Sequence, residues 1–359
     1  MWFFREHNRI ARRLAKINPC WDDETLFQKA RQISIAQWQY IIYYELMPEI
    51  LGKKTQLYLH AIQYLKQVPQ SIKRQFEIPG RQYSLEKGII YQTDGYVNDF
   101  DPQQEPGVIR EYIVGTRWFH TFQPEKMDYY HNGEYRGSVA IADFLLRSSL
   151  LADNSTELEL TEGHLIQPAN EFDQIITNDM AERVFGPWQV AADLSAIDIM
   201  RGRDAGFPPY NEYRKFCGLK PAKKWEDLYD TINKDVSVCC NTGLFTTIGI
   251  YFNYGALIVE TLSRFYEDVD DMELMVAIYV ERLVPGTFVG PTLHCIMVHN
   301  LLLWRKSDKF FFEHGGFPAA LTIPQLTEIR KTSIARVICD NGVNVKKIQP
   351  AAFFRQGPW

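Results

Sequence analysis

The feature that most restricts the fold of this chain is the row of apolar residues between Asp22 and Pro48. Leu26, Ala30, Ile33, Ala36, Tyr40, Tyr43 and Met47 step by four, three, three, four, three and four. That spacing sets all seven on one face of a 3.6-residue helix. Asp22 or Asp23 can cap its start, and Pro48 and Gly52 stop it. An earlier periodic run, Phe3, Ile10, Leu14 and Ile17, predicts a helix over 2–17 that ends at Asn18-Pro19. Two amphipathic helices in succession must bury their apolar stripes against other layers.

The rest of the chain continues in the same manner. Spacing predicts helices near 138–151, 171–185, 275–283 and 291–305, and a last one from Ile323 to about Gly342. The stretch 195–219, rich in glycine and proline, reads as a compact loop leading into a short helix. Alternating strand-like runs are few and no repeat is visible. The fold class expected is therefore mainly α, a multi-helix domain with few or no strands. The most apolar run, 243–259, is shorter than the ~20 residues of a membrane span and contains Asn253, so no transmembrane helix is expected. A net charge of −5 gives no reason to expect nucleic acid or an anionic membrane as partner. Met1-Trp-Phe-Phe-Arg-Glu-His is no signal peptide, since charge arrives at Arg5 and no apolar segment follows.

Chemistry concentrates in Glu111-Tyr-Ile-Val-Gly-Thr-Arg117-Trp-Phe-His120-Thr-Phe122, bounded by Pro106-Gly107 and Pro124 and read as one helix of about three turns. Arg117 and His120, three apart, are neighbours on one side of it. A neutral imidazole can ligate a metal, and a guanidinium beside it can hold a carboxylate. A haem would use both, one for its iron and one for a propionate. A lone histidine among aromatics is more often a hydrogen-bonded core residue, and pattern alone favours that plainer reading.

Further blocks lie from end to end. They are Arg5-Glu-His-Asn-Arg-Ile-Ala11; Asn18-Pro-Cys-Trp-Asp-Asp23 with Leu26-Phe-Gln-Lys-Ala-Arg31; and Arg201-Gly-Arg-Asp204 with Pro209-Tyr-Asn211 and Phe216-Cys-Gly-Leu219. Val284-Pro-Gly286 with Val289-Gly-Pro-Thr292, and Ala335-Arg-Val-Ile-Cys-Asp-Asn341, complete the set. In this order they resemble the animal haem peroxidases, the family of myeloperoxidase, thyroid peroxidase, peroxidasin and the chorion peroxidases. The resemblance implies haem b as cofactor and H2O2-driven oxidation of a small-molecule or protein-side-chain donor through an iron-oxo intermediate. It makes His120 the expected iron ligand, Arg117 the propionate partner, and Asp198 the acceptor for the other ring nitrogen of His120. The family has Asn at that last position, Gly at Phe119 and His at Ala205. A plainer role for Asp198 is an ion pair with Arg201 or Arg203.

The family's distal histidine, its calcium site and its distal arginine precede the Arg5–Ala11 block. The expectation is therefore one partial domain over 1–359 that retains the proximal haem side, contains no distal catalytic residue and lacks the calcium site. His7 matches a helix that follows the distal pair, so a surface or packing role is expected for it. The rival reading is an inactive relic or splice fragment that acts as a haem-binding or adhesion module. Cys217 and Cys295 match positions bonded to each other in the family, which implies an oxidising, secreted setting for the parent gene. Asn154-Ser-Thr would be a glycosylation sequon there. Cys339 matches a cysteine whose partner lies further toward the C-terminus. Cys239-Cys240 and the apolar run to about Ala256 have no family counterpart and read as an insertion over about 236–256, either a real one or an intron read as coding sequence.

Overall fold

The computed structural model describes residues 2–52, 94–145, 147–152, 154–185, 192–232, 257–342, 345 and 348–354. The expected insertion and Cys239-Cys240 lie outside them. Helix α1 (Trp2–Ile17) packs on α2 (Asp23–Tyr40), whose N-cap Asp22 accepts the Thr25 N–H at 2.9 Å. The row of apolar residues does not continue as one α-helix. At Ile41–Leu46 the chain widens into a π-helix and resumes as α3 (Met47–Leu51). Pro48 is the physical reason: it lacks an N–H, and its ring would strike the carbonyl four residues back. Widening the turn moves the bonds, so that Met47 N–H reaches Ile42 O. Gly52, at φ 92°, ends the element.

Helix α4 (Arg110–Gly115) leads into a 3-10 turn at Thr116–Phe122. An antiparallel hairpin follows, β1 (Lys126–His131) with β2 (Glu134–Ala140). Its turn residues Asn132 and Gly133 both have positive φ, 54° and 81°. This is the Asn-Gly turn whose twist matches paired strands. The helix expected near 138–151 is thus a strand end, α5 (Ile141–Phe144) and a 3-10 turn at Ser148–Leu151. Helix α6 (Asn154–Ile166), which no apolar period had marked, covers β1 so closely that a Cβ on Gly163 would collide with the Asp128 carbonyl. Of the segment 171–185 only α7 (Asn178–Glu182) is helical.

Within 195–219, α8 (Leu194–Asp204) replaces the expected loop. Asp193 caps it by accepting Ala196 N–H at 3.1 Å, and Gly206, at φ 67°, follows its end. The short helix expected next is α9 (Tyr210–Phe216). Then come a 3-10 turn at Trp225–Asp230, α10 (Leu257–Phe265), a 3-10 turn at Val269–Asp271, α11 (Leu274–Val280) and α12 (Pro291–Ser307). The last expected helix is two, α13 (Ile323–Ile329) and α14 (Ile334–Asn341), because Ser333 caps the second by accepting Arg336 N–H. The protein is mainly α. Among the described residues, no helix is long and apolar enough to cross a membrane.

The largest core collects Tyr43, Leu51, Val114, Trp118, Ile278, Leu293 and their neighbours, so α4 and its 3-10 turn sit on α11 and α12. Cys217, just after α9, is disulfide-bonded to Cys295 of α12, with Cα atoms 5.9 Å apart. Next to it, Glu281 is fully buried and accepts Tyr210 Oη–H at 2.6 Å, Thr292 Oγ1–H at 2.6 Å and Thr292 N–H at 2.9 Å. Burial pushes its carboxyl above the ordinary value despite those donors.

Candidate haem-binding site

The site begins with how closely α4 approaches the core. A Cβ on Gly115 would lie 3.1 Å from Leu293 Cδ1 and 3.2 Å from Ile278 Cδ1. With glycine there the backbone settles onto α11 and α12. Thr116 Oγ1–H bonds back to Tyr112 O at 2.7 Å, and the helix tightens into the 3-10 turn. Trp118, buried at its centre, donates Nε1–H to Phe288 O at 2.9 Å and fixes the turn's rotation. Asn300 of α12 accepts Ile109 N–H at 2.9 Å, and Arg110 donates to Ala205 O at 3.0 Å. These bonds hold the start of α4 against α12 and the end of α8.

The segment carrying His120 is therefore not the single α-helix expected, and the difference has a geometric consequence. In a 3-10 turn residues i and i+3 eclipse each other. Arg117 and His120 accordingly stand one above the other and reach the same partner on α8. Asp198 Oδ1 accepts Arg117 Nη1–H at 2.9 Å, and Oδ2 lies 2.9 Å from His120 Nδ1. Asp198 is fully buried, whereas the side chains of Arg117 and His120 keep about 30% of their surface (31% and 30%). In a neutral imidazole, a carboxylate oxygen at Nδ1 selects the tautomer with its proton there, which leaves Nε2 as a lone pair.

The three residues singled out in the sequence are thus brought together. Asp198 does not use Arg203, which pairs with Glu273 at 2.8 Å. Arg117 has a protein partner that sequence reasoning had not given it. Phe119, half-exposed, packs edge-on to Trp118 at 4.8 Å and tilts over Phe122 at 5.0 Å. His7 bonds Asn8 and the Phe27 carbonyl, and its ring lies 5.0 Å from that of Phe27, a packing role between α1 and α2. Sequence reasoning missed Tyr279 of α11, whose hydroxyl is 3.4 Å from Asp198 Oδ2. Nothing in its spacing sets it apart from the other core positions of α11. Among the described residues no group of three or more His, Cys, Asp or Glu could hold a metal ion.

The fold and the site define an α-helical scaffold that presents one imidazole oriented by a buried carboxylate. The sequence profile described as animal haem peroxidase matches residues 1–353. A peroxidase of Drosophila melanogaster is 34% identical over 97% of this chain and 44% of its own length. The human peroxidasin homolog is 31% identical over 98% of this chain and 20% of its own length. Peroxidase A of Dictyostelium discoideum superimposes with a TM-score of 0.70 at 25% identity, covering 98% of this chain and 56% of that structure. Fatty acid alpha-dioxygenase of Arabidopsis thaliana, at 17% identity and a TM-score of 0.64, shares the fold. The chain belongs to the animal haem peroxidase family. It spans less than half the length of these two curated relatives.

Proposed function

We propose that this chain forms the proximal side of a haem peroxidase centre, with haem b as cofactor and His120 as the iron ligand. The observation that carries the reading is the 2.9 Å contact between His120 Nδ1 and the fully buried Asp198 carboxylate. A ligating histidine works when its second nitrogen is held as a donor, because the acceptor fixes the ring and raises its basicity. The residues fit such a group. In the neutral ring Nε2 is left as a lone pair, and the His120 side chain is part-exposed. Arg117 spends one guanidinium nitrogen on Asp198 and keeps further N–H donors for a propionate.

The cofactor, when bound, supplies the oxidising chemistry toward peroxide. The chain's own contribution is positional. Asp198 holds the Nδ1 proton, Arg117 holds Asp198, and the Trp118 anchor keeps the turn from rotating His120 away. The substrates proposed are H2O2 and a reducing donor, a small molecule or a protein side chain. The Cys217–Cys295 disulfide supports an extracellular setting.

The test is reconstitution with haemin. The wild-type chain should give a Soret band distinct from free haemin, which His120→Ala removes or shifts and free imidazole restores. Peroxide-dependent donor oxidation should follow the same order. A spectrum and rate indifferent to His120→Ala would refute the assignment.

A further inference from the structure

The Asp198 oxygen that meets His120 has a second donor. Tyr279 Oη lies 3.4 Å from Oδ2, the same atom that takes His120 Nδ1 at 2.9 Å. The phenol has a single proton to give. Its other acceptor in reach is the Arg117 carbonyl at 3.5 Å. An ionised carboxylate outcompetes a peptide carbonyl for such a proton. Burial first, and the Asp198 charge second, hold the phenol well above its ordinary range, so it stays a donor.

We infer that Tyr279 is a positioning residue for His120: by sharing Oδ2 of Asp198 it limits how strongly that oxygen draws the Nδ1 proton. This inference rests on the haem reading for its consequence at the metal, but its hydrogen-bond content does not. Two donors on one oxygen divide its accepting power. Removing one strengthens the other, because both donors draw on the charge of the same oxygen. A stronger Nδ1–H···Oδ2 bond gives the imidazole more anionic character and makes Nε2 a stronger donor to a metal. A more anionic ligand favours ferric over ferrous iron. Arg117 acts on Oδ1 and holds the carboxylate's other side, so Tyr279 is the lever that addresses the histidine-facing oxygen alone. At 3.4 Å the contact is long, and the expected effect is about threefold in the ferric–ferrous equilibrium, ~28 mV at 59 mV per tenfold.

The experiment compares wild type, Tyr279→Phe, Asp198→Asn and the double variant, in two states of the full chain. In the haem-free chain, the His120 Nδ1 proton resonance should move downfield in Tyr279→Phe and upfield in Asp198→Asn. In the haemin-loaded chain, Tyr279→Phe should raise the ferrous iron–histidine stretching frequency and lower the reduction potential by the threefold shift. Asp198→Asn should do the opposite. In the Asp198→Asn background, Tyr279→Phe should lose more than half of its effect, as expected for coupled groups. A 3-fluorotyrosine at 279, a stronger donor of the same shape, should shift every readout the other way, and it serves if Tyr279→Phe does not fold. An unmoved proton resonance in a folded variant, or an equal shift with and without the carboxylate, would overturn the inference. A resonance that moves while the iron signals do not would retain Tyr279 as a positioning residue and count against His120 as the ligand.

Discussion

Replacing Asp198 by alanine tests whether the site is held as described, without any cofactor. The carboxylate is fully buried and takes Arg117 and His120, both at 2.9 Å, with Tyr279 at 3.4 Å. Hydrogen bonds to a charged group contribute about 1.5–3 kcal/mol each, and removing one partner of a buried pair costs about 3–5 kcal/mol. Both main donors keep about 30% of their side-chain surface and can turn toward water, which discounts the loss. Asp198→Ala should therefore destabilise the haem-free chain by about 2–3 kcal/mol. Asp198→Asn keeps an oxygen for His120 but turns an NH2 toward Arg117, and should cost about half of that, roughly 1–1.5 kcal/mol. Urea unfolding read by tryptophan fluorescence measures both as midpoint shifts at unchanged slope. The order matters more than the values. If Asp198→Ala stays within about 0.5 kcal/mol of wild type, the range of ordinary surface changes, the buried relay does not hold the site together.

Three other outcomes follow from the same packing. Gly115→Val should cost about 1–3 kcal/mol by pressing on Leu293 and Ile278, whereas Gly115→Ala should come out near neutral, crowding being offset by a helix preference of up to about 1 kcal/mol; equal effects in denaturant titration would contradict the close approach. Burial raises the folded-state Glu281 carboxyl above its ordinary value of 4.5, so the folded chain keeps a proton there that the unfolded chain releases. Stability from this group is present below that pH and is lost as pH rises above it. Thermal midpoints of wild type should thus fall relative to Glu281→Gln from pH 4 to 8, and parallel curves would remove the argument. Non-reducing peptide mapping should recover Cys217 linked to Cys295, and replacing both by alanine should cost up to about 4.5 kcal/mol for a separation of 78 residues. Recovery of both as free thiols would refute the disulfide and remove its support for an extracellular setting.

The sequence disclosed the helical class because apolar residues at three- and four-residue steps persist through α1, α2 and α12. Spacing singled out Arg117 and His120 as neighbours but favoured a core role for the histidine; the expected ligand role, and Asp198 as its partner, came from the resemblance to a family. What it hid has local physical causes. The 3-10 turn at 116–122 depends on how deeply Gly115 lets α4 sink against Leu293 and Ile278, a contact between residues more than 160 positions apart. The hairpin carried an audible signal in Asn132-Gly133, outweighed by the polar and aromatic residues around it. Helix α8 contains Gly202 and runs toward Pro208-Pro209, so local preference argued for a loop, and Asp193 capping with burial of Asp198 overruled it. Tyr279 could not have been found without coordinates, since it sits among the core residues of α11 and only its hydroxyl reaches the site.

The central claim is that one particular histidine among the eight in the chain binds the iron. Pulsed electron paramagnetic resonance of the ferric, haemin-loaded chain, labelled with 15N-histidine, addresses it directly. One strongly coupled axial nitrogen is expected in wild type, absent in His120→Ala and unaffected by His7→Ala. The same coupling surviving in His120→Ala would place the iron on another histidine and contradict the account.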